Sequence, residues 1–335
     1  MRRAWLVILG LCTGLALAEI AVRVLDVPPH PLEPLHLPSY RISDDPVLGY
    51  EYRPNLRPED EPYDALHRGF ATNSFGFRDV EMPLHKPAGQ IRIVALGDST
   101  TAGNGIPLLE NTWPKRLERR FADAGRPEVR VLDLGVGGYH PVQEARLLER
   151  RGLAFEPDLA LVLICLNDLD ARADGGIARR LEQARAGGAG TEGPLAALTR
   201  VSRLAFVVTQ RARALGSASA PQGPGGAAAA PRNPLADGLA AFARIHDETG
   251  LRILVFLLPG LDAPFDRYAH QGLHARMRES AAQSPELPWI DLLDAFRATG
   301  LDPRGLSVDG LHPNRAGADV LSQILYRELL QRGLP

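Results

Sequence analysis

Ser99 follows a strand-length apolar run in "RIVALGDSTTAGNGI", Arg92 to Ile106, and is flanked by Asp98 and small residues. A serine hydroxyl is a weak nucleophile until a base takes its proton. A base stands in "DGLHPN", Asp309 to Asn314: His312, with Asp309 three residues before it. Along a turn that spacing lets the carboxylate hold the imidazole through its second nitrogen, which sets the tautomer and stabilises the imidazolium. Attack on an acyl carbon also needs donors aimed at the oxyanion. The backbone N–H groups of Ser99 and Gly138 and the side-chain amide of Asn167 are the candidates. Gly138 closes the run Gly135, Val136, Gly137, Gly138, and a tight turn presenting its N–H inward calls for φ > 0. Gly135 or Gly137 is the donor if that turn is arranged differently. Asp98 reads as a capping or turn residue. Tyr139, His140 and Asn104 stand near the same rim, and Arg78 and Asp79 read as a structural pair.

These groups are far apart in the chain, so a frame must bring them together. Five short apolar runs have strand length: "IRIVAL", "VRVLDL", "LALVLICL", "RILVFLL" and "WIDLL", beginning at Ile91, Val129, Leu159, Arg252 and Trp289. Helical patterns lie between them. One spans Thr112 to Ala124 with Pro114 in its first turn and Gly125 beyond; others span Pro141 to Arg151 and Leu235 to Thr249, ending at Gly152 and Gly250. The last runs from about Asn314 to Arg332 with Val320, Ile324, Leu325 and Leu329 on one face. Alternating strands and helices predict an α/β fold with a largely parallel sheet covered on both faces. In such sheets ligands bind beyond the carboxyl ends of the strands, where Ser99, the glycine turn and Asn167 all fall.

Four blocks in order carry a family resemblance: "GDST" at Gly97–Thr100, the glycine turn of "DLGVGG", "ND" at Asn167–Asp168 and "DGLHPN". With "NTWP", Asn111 to Pro114, they resemble the SGNH, or GDSL-type, hydrolases from about Ile91 to Arg332. The resemblance implies a three-layer α/β/α sandwich with a central five-stranded, mostly parallel, flavodoxin-like sheet. It implies esterase, lipase, thioesterase or carbohydrate deacetylase activity without metal or organic cofactor. By position, Ser99 is the nucleophile, Ser99, Gly138 and Asn167 form the oxyanion hole, and Asp309 and His312 complete the triad. Two departures stand out. Asp133 occupies a position where the second block usually has Asn, and Cys165 replaces the glycine of the third block, where it narrows the pocket or shifts the strand end.

Rival motifs fail on spacing. "GDSTTAGNG" lacks the Gly-Lys-Ser/Thr ending of a phosphate loop, "GVGGYH" lacks the last glycine of a dinucleotide fingerprint, and Thr101 breaks the Gly-x-Ser-x-Gly elbow. Of 335 residues, 45% are hydrophobic and 23% charged, with a formal net charge of −2. That balance supports a buried core and gives no basic stripe for nucleic acid. The two cysteines, Cys12 and Cys165, suit neither a disulfide nor a thiolate cluster, and Cys165 reads as a small buried hydrophobe.

The N-terminus has Arg2 and Arg3, an uncharged run from Ala4 to Ala18, and an Ala16-Leu17-Ala18 pattern. Residues 1–27 therefore read as a signal peptide or an uncleaved membrane anchor, with the catalytic part exported. Residues 28–90 form a proline-rich spacer and a segment packed on the main domain. Residues 91–333 form the hydrolase domain, with an Ala/Gly/Pro-rich insertion at about 170–234. The expected activity is hydrolysis of carboxylic esters, such as short acyl or O-acetyl groups on an envelope glycan or small molecule. The alternatives are an O-acyltransferase acting on an exported polysaccharide and a non-catalytic glycan-binding protein.

Overall fold

The computed structural model describes residues 2–25, 39–60, 69–169 and 233–334, with scattered positions from 177 to 209. The spacer at 28–38 and nearly all of the insertion lie outside the described residues; within the helix read at Leu195–Leu215, positions 198, 203–205 and 207–209 are described and helical.

The first helix, α1 (Arg2–Val24), leaves Trp5, Leu9, Leu15 and Ile20 exposed. Among the described residues no helix is long and apolar enough to cross a membrane. A two-stranded hairpin follows, β1 (Tyr40–Ile42) and β2 (Tyr50–Tyr52), paired antiparallel. The main sheet has five strands: β3 (Ile91–Gly97), β4 (Val129–Asp133), β5 (Leu159–Ile164), β6 (Arg252–Leu257) and β7 (Trp289–Asp291). Every neighbouring pair is parallel, in the order β4-β3-β5-β6-β7. The chain therefore leaves β3 first to one side and then to the other, and the crevice at that reversal lies beyond the carboxyl end of β3.

The period-two alternation of the strands divides the core. Val94, Leu96, Ala160, Val162, Val255 and Leu257 face one layer. Ile93, Ala95, Leu161, Leu163, Leu254 and Phe256 face the other. Both faces of a parallel sheet are covered, which is why these strands read as continuous apolar runs. One covering layer holds α2 (Trp113–Asp123), α6 (Leu293–Arg297) and α7 (Arg315–Gln331). The other holds α3 (Pro141–Leu147), α4 (Pro234–Thr249), α5 (Gln271–Ala281) and the aromatic segment around the hairpin. The helix starts follow from local chemistry: Asn233 and Asn314 cap α4 and α7 through their side chains, and Pro114 and Pro141 sit in first turns.

The segment before β3 is more organised than its weak periodicity suggested. Asn73 Oδ1 accepts the N–H groups of Phe75 and Phe77, which folds "TNSFGFRD" into a tight loop. Arg78 and Asp79 do not pair with each other. The Arg78 guanidinium donates to the carbonyls of Ala102, Gly103 and Ile106 and lies 4.6 Å over the Phe70 ring. Asp79 accepts from Lys115 Nζ at 2.7 Å and from the Asp133 N–H at 2.8 Å. Adjacent residues thus serve opposite sides: one ties down the loop after Ser99, the other the edge strand β4.

Candidate active site

Ser99 sits two residues past the carboxyl end of β3, after Asp98, and is half-buried between buried neighbours. The Asp98 carboxylate caps the turn by accepting the Thr100 N–H at 2.8 Å. The chain then coils, with the Asn104 N–H donating to the Ser99 carbonyl at 2.9 Å. His312 approaches from the loop before α7. Asp309 Oδ1 accepts the N–H groups of Leu311 and His312, at 3.0 and 2.8 Å, closing an Asx turn that swings the imidazole back over the carboxylate. Ser307 and the Val308 N–H hold the His312 carbonyl, and Asn314 caps α7 immediately afterwards. The histidine is therefore fixed on both sides along the chain.

The result is a continuous relay. Ser99 Oγ lies 2.8 Å from His312 Nε2, and His312 Nδ1 lies 2.7 Å from Asp309 Oδ2. Burial alone would raise the Asp309 carboxyl. The hydrogen bond and charge of His312, with the two backbone donors, outweigh it and hold the group at about 2. The carboxylate is ionised and accepts, so Nδ1 carries the proton and Nε2 presents its lone pair to the serine O–H. That is the tautomer a general base needs.

The glycine turn is docked on the serine loop: Leu134 and Val136 donate their N–H groups to the carbonyls of Ala95 and Gly97, at 2.9 and 3.1 Å. Gly138 has φ +79°, so the expected left-handed glycine is present. It is half-buried, and no hydrogen bond among the described residues takes up its N–H or that of Ser99. Asn167 lies in a short turn after β5 (Leu166–Leu169) and donates Nδ2 to Asp98 Oδ2 at 3.1 Å. An amide NH₂ has two hydrogens, so one anchors the side chain and the other remains for a substrate oxygen. The serine, the histidine, the aspartate, the glycine turn and the amide thus meet at one rim. Among the described residues no group of three or more His, Cys, Asp or Glu side chains is placed to hold a metal ion.

Residues 95–320 match the GDSL-like lipase/acylhydrolase family. The chain belongs to this family. No curated protein is similar enough to match. Among solved structures, this GDSL hydrolase is similar to a lipase/acylhydrolase from Enterococcus faecalis, with 18% identity and a TM-score of 0.44 over 72% of this chain and 97% of that one. An acetylxylan esterase from Geobacillus stearothermophilus shows 16% identity and a TM-score of 0.45 over 73% and 95%. A two-domain esterase active on acetylated mannans shows 15% and 0.42 over 72% of this chain; the chain spans about half, 49%, of its length.

The departures from the family pattern settle into the core. Cys165 does not narrow the pocket: its thiol turns inward, 3.2 Å from Thr100 Oγ1 and 3.8 Å from Asp98 Oδ1, and burial pushes its pKa well up. Asp133 also points inward, with Oδ1 accepting the Gly135 N–H at 2.9 Å, so it braces the glycine turn from behind. Tyr139 is fully buried with its hydroxyl on the Tyr50 carbonyl and does not line the rim, and the half-buried His140 is the N-cap residue of α3, its N–H donating to Gln143 Oε1 at 3.2 Å. Asn104 is buried behind the turn. Behind Asn167 lie two further acids, Glu144 and Asp168, both fully buried. Burial, then the charge of neighbouring acids, raises both carboxyls well above their ordinary values. Nothing local in the sequence marks Glu144 as a partner of that layer, because it reaches the site from a helix face.

Proposed function

We propose that the chain hydrolyses carboxylic esters of short acyl groups through an acyl-enzyme on Ser99. The observation that carries this reading is the Asp309–His312–Ser99 relay, with contacts of 2.7 and 2.8 Å in the tautomer that accepts the serine proton. Ser99 Oγ attacks the ester carbonyl as His312 Nε2 takes its proton. The N–H groups of Ser99 and Gly138 and the Asn167 amide receive the negative charge on the carbonyl oxygen. The imidazolium protonates the departing alcohol, and the acyl group stays on Ser99. Water, deprotonated by the same imidazole, then releases the acid and restores the hydroxyl.

The substrate within this class is an acetyl or similarly small ester on a glycan or small molecule outside the cytoplasm. The basic start and apolar run of α1 support export, and cell fractionation of the full chain tests it. The activity is tested by mixing the protein with a fluorophosphonate probe and with p-nitrophenyl esters of increasing chain length. Labelling at Ser99 and turnover that falls beyond the shortest acyl chains are expected. Folded protein that leaves Ser99 unlabelled sinks the enzymatic reading. Transfer of the acyl group to an added glycan, in place of release as free acid, would replace hydrolysis by acyl transfer.

A further inference from the structure

The hairpin β1–β2 lies outside the residues matching the family, which begin at 95. Yet its two buried tyrosines grip the glycine turn of the active site. Tyr50 Oη donates to the Gly137 carbonyl at 3.1 Å, and Tyr52 Oη accepts the Gly137 N–H at 3.0 Å. Both phenols are buried, at 0% and 1% exposure, so water does not compete for these bonds. The fit is close: a Cβ on Gly137 would come within 2.6 Å of Tyr40 Oη and 3.0 Å of Tyr52 Oη. Tyr40 stacks on Tyr52 with ring centroids 4.8 Å apart, and the Tyr139 hydroxyl donates to the Tyr50 carbonyl, so the hairpin is itself held in place.

The Gly137 carbonyl and the Gly138 N–H belong to the same peptide plane. The described chain has no cis peptide bond, so the two groups point in opposite directions. A donor on the carbonyl therefore fixes where the N–H points. It also draws electron density through the amide, which makes the N–H a stronger donor. We propose that Tyr50, from the N-terminal hairpin, is a positioning residue for the oxyanion hole: its hydroxyl orients and polarises the Gly137–Gly138 peptide, while Tyr52 fixes the preceding peptide. This rests on the reading of Gly138 as an oxyanion donor. The hairpin is then part of the catalytic apparatus and not a spacer.

The test uses the full chain carrying Tyr50→Phe, which keeps the ring and removes only the hydroxyl. The affinity for a trifluoromethyl ketone, whose adduct on Ser99 places an oxyanion in the hole, is measured beside p-nitrophenyl acetate kinetics. Expected are a fall of about tenfold in kcat and in ketone affinity, with KM and the thermal midpoint near wild type. Tyr52→Phe should act in the same direction, and 3-fluorotyrosine at position 50, which keeps the hydroxyl as a stronger donor, should retain wild-type turnover or exceed it. Should Tyr50→Phe fold poorly, the fluorotyrosine protein carries the test alone, and turnover clearly below wild type in that folded protein overturns the proposal. Wild-type kcat and ketone affinity in folded Tyr50→Phe overturn it. If wild-type protein fails to label at Ser99, the parent reading falls and this one with it. If wild type labels and turns over while Tyr50→Phe matches it, only this one falls.

Discussion

The molecule contains two acid–imidazole–hydroxyl relays of nearly the same dimensions. Asp309, His312 and Ser99 are joined by contacts of 2.7 and 2.8 Å. Asp291, His274 and Tyr268 are joined by contacts of 2.8 and 2.7 Å. Their surroundings differ. The first ends on a half-buried serine at the strand rim, beside N–H groups that no described residue occupies. The second ends on a phenol that is 5% exposed and accepts the Gly260 N–H at 2.8 Å, and burial raises its pKa. Its histidine is 2% exposed. The second relay is a strut. Through Gly260 it fixes the loop whose Leu261 N–H donates to the Gly310 carbonyl, two residues before His312. Relay geometry alone therefore does not single out a candidate site: the half-buried serine and the N–H groups beside it that no described residue takes up do.

Substitutions should separate the two relays. Ser99→Ala should cost about 10⁴–10⁶-fold in kcat with an unchanged thermal midpoint; hydrolysis that survives would move the nucleophile elsewhere. Asp309→Asn should cost about 10³–10⁴-fold, because the amide no longer dictates the base tautomer, whereas Asp291→Asn should leave the rate per folded molecule within about tenfold. A comparable rate loss at both aspartates would erase the distinction drawn here. His274→Phe removes the partner shared by the half-buried Asp291 carboxylate and the buried Tyr268 hydroxyl, so a loss of about 1–3 kcal/mol in urea unfolding is expected, and a fully stable variant would show that the strut carries no weight.

The smallest effect is in acid. The folded Asp309 carboxyl lies at about 2, below its unfolded value. Its contribution is therefore complete above about pH 4 and disappears as pH falls through about 2. Stability of Asp309→Asn should accordingly fall less than that of wild type over this window, as read from urea midpoints at stepped pH. Equal slopes would mean that the carboxylate is not held by His312.

Legibility in the sequence followed the range of the contacts. The five strands were readable because burial on both faces makes each a continuous apolar run, and their all-parallel pairing follows from the helices between them. Ser99, Asp309 and His312 were readable because each sits at an element end with its orienting residue within three positions, and Gly138 because only a left-handed turn calls for glycine there. The helix α5 was missed, since it buries only His274, Met277, Ser280 and Ala281 and shows no clear stripe. Cys165 is the small buried hydrophobe its residue type suggested, while its place in the third block left its direction open: a residue just past a strand end can face the crevice or the core, and here the apolar layer around Leu163 takes it. Tyr50 and Tyr52 were invisible as site residues because their partner is 87 and 85 positions away. The alternation in "GYEYRP" was the one local sign of that hairpin.

That separation has a consequence for biosynthesis. The hairpin leaves the ribosome before the turn it will hold has been made, and at ordinary rates of elongation it waits several seconds. During that interval Tyr40, Tyr50 and Tyr52 lack Gly137 and Tyr139, against which they later pack. A nascent chain stalled before Gly137 should therefore be the most chaperone-dependent stage in the life of this protein.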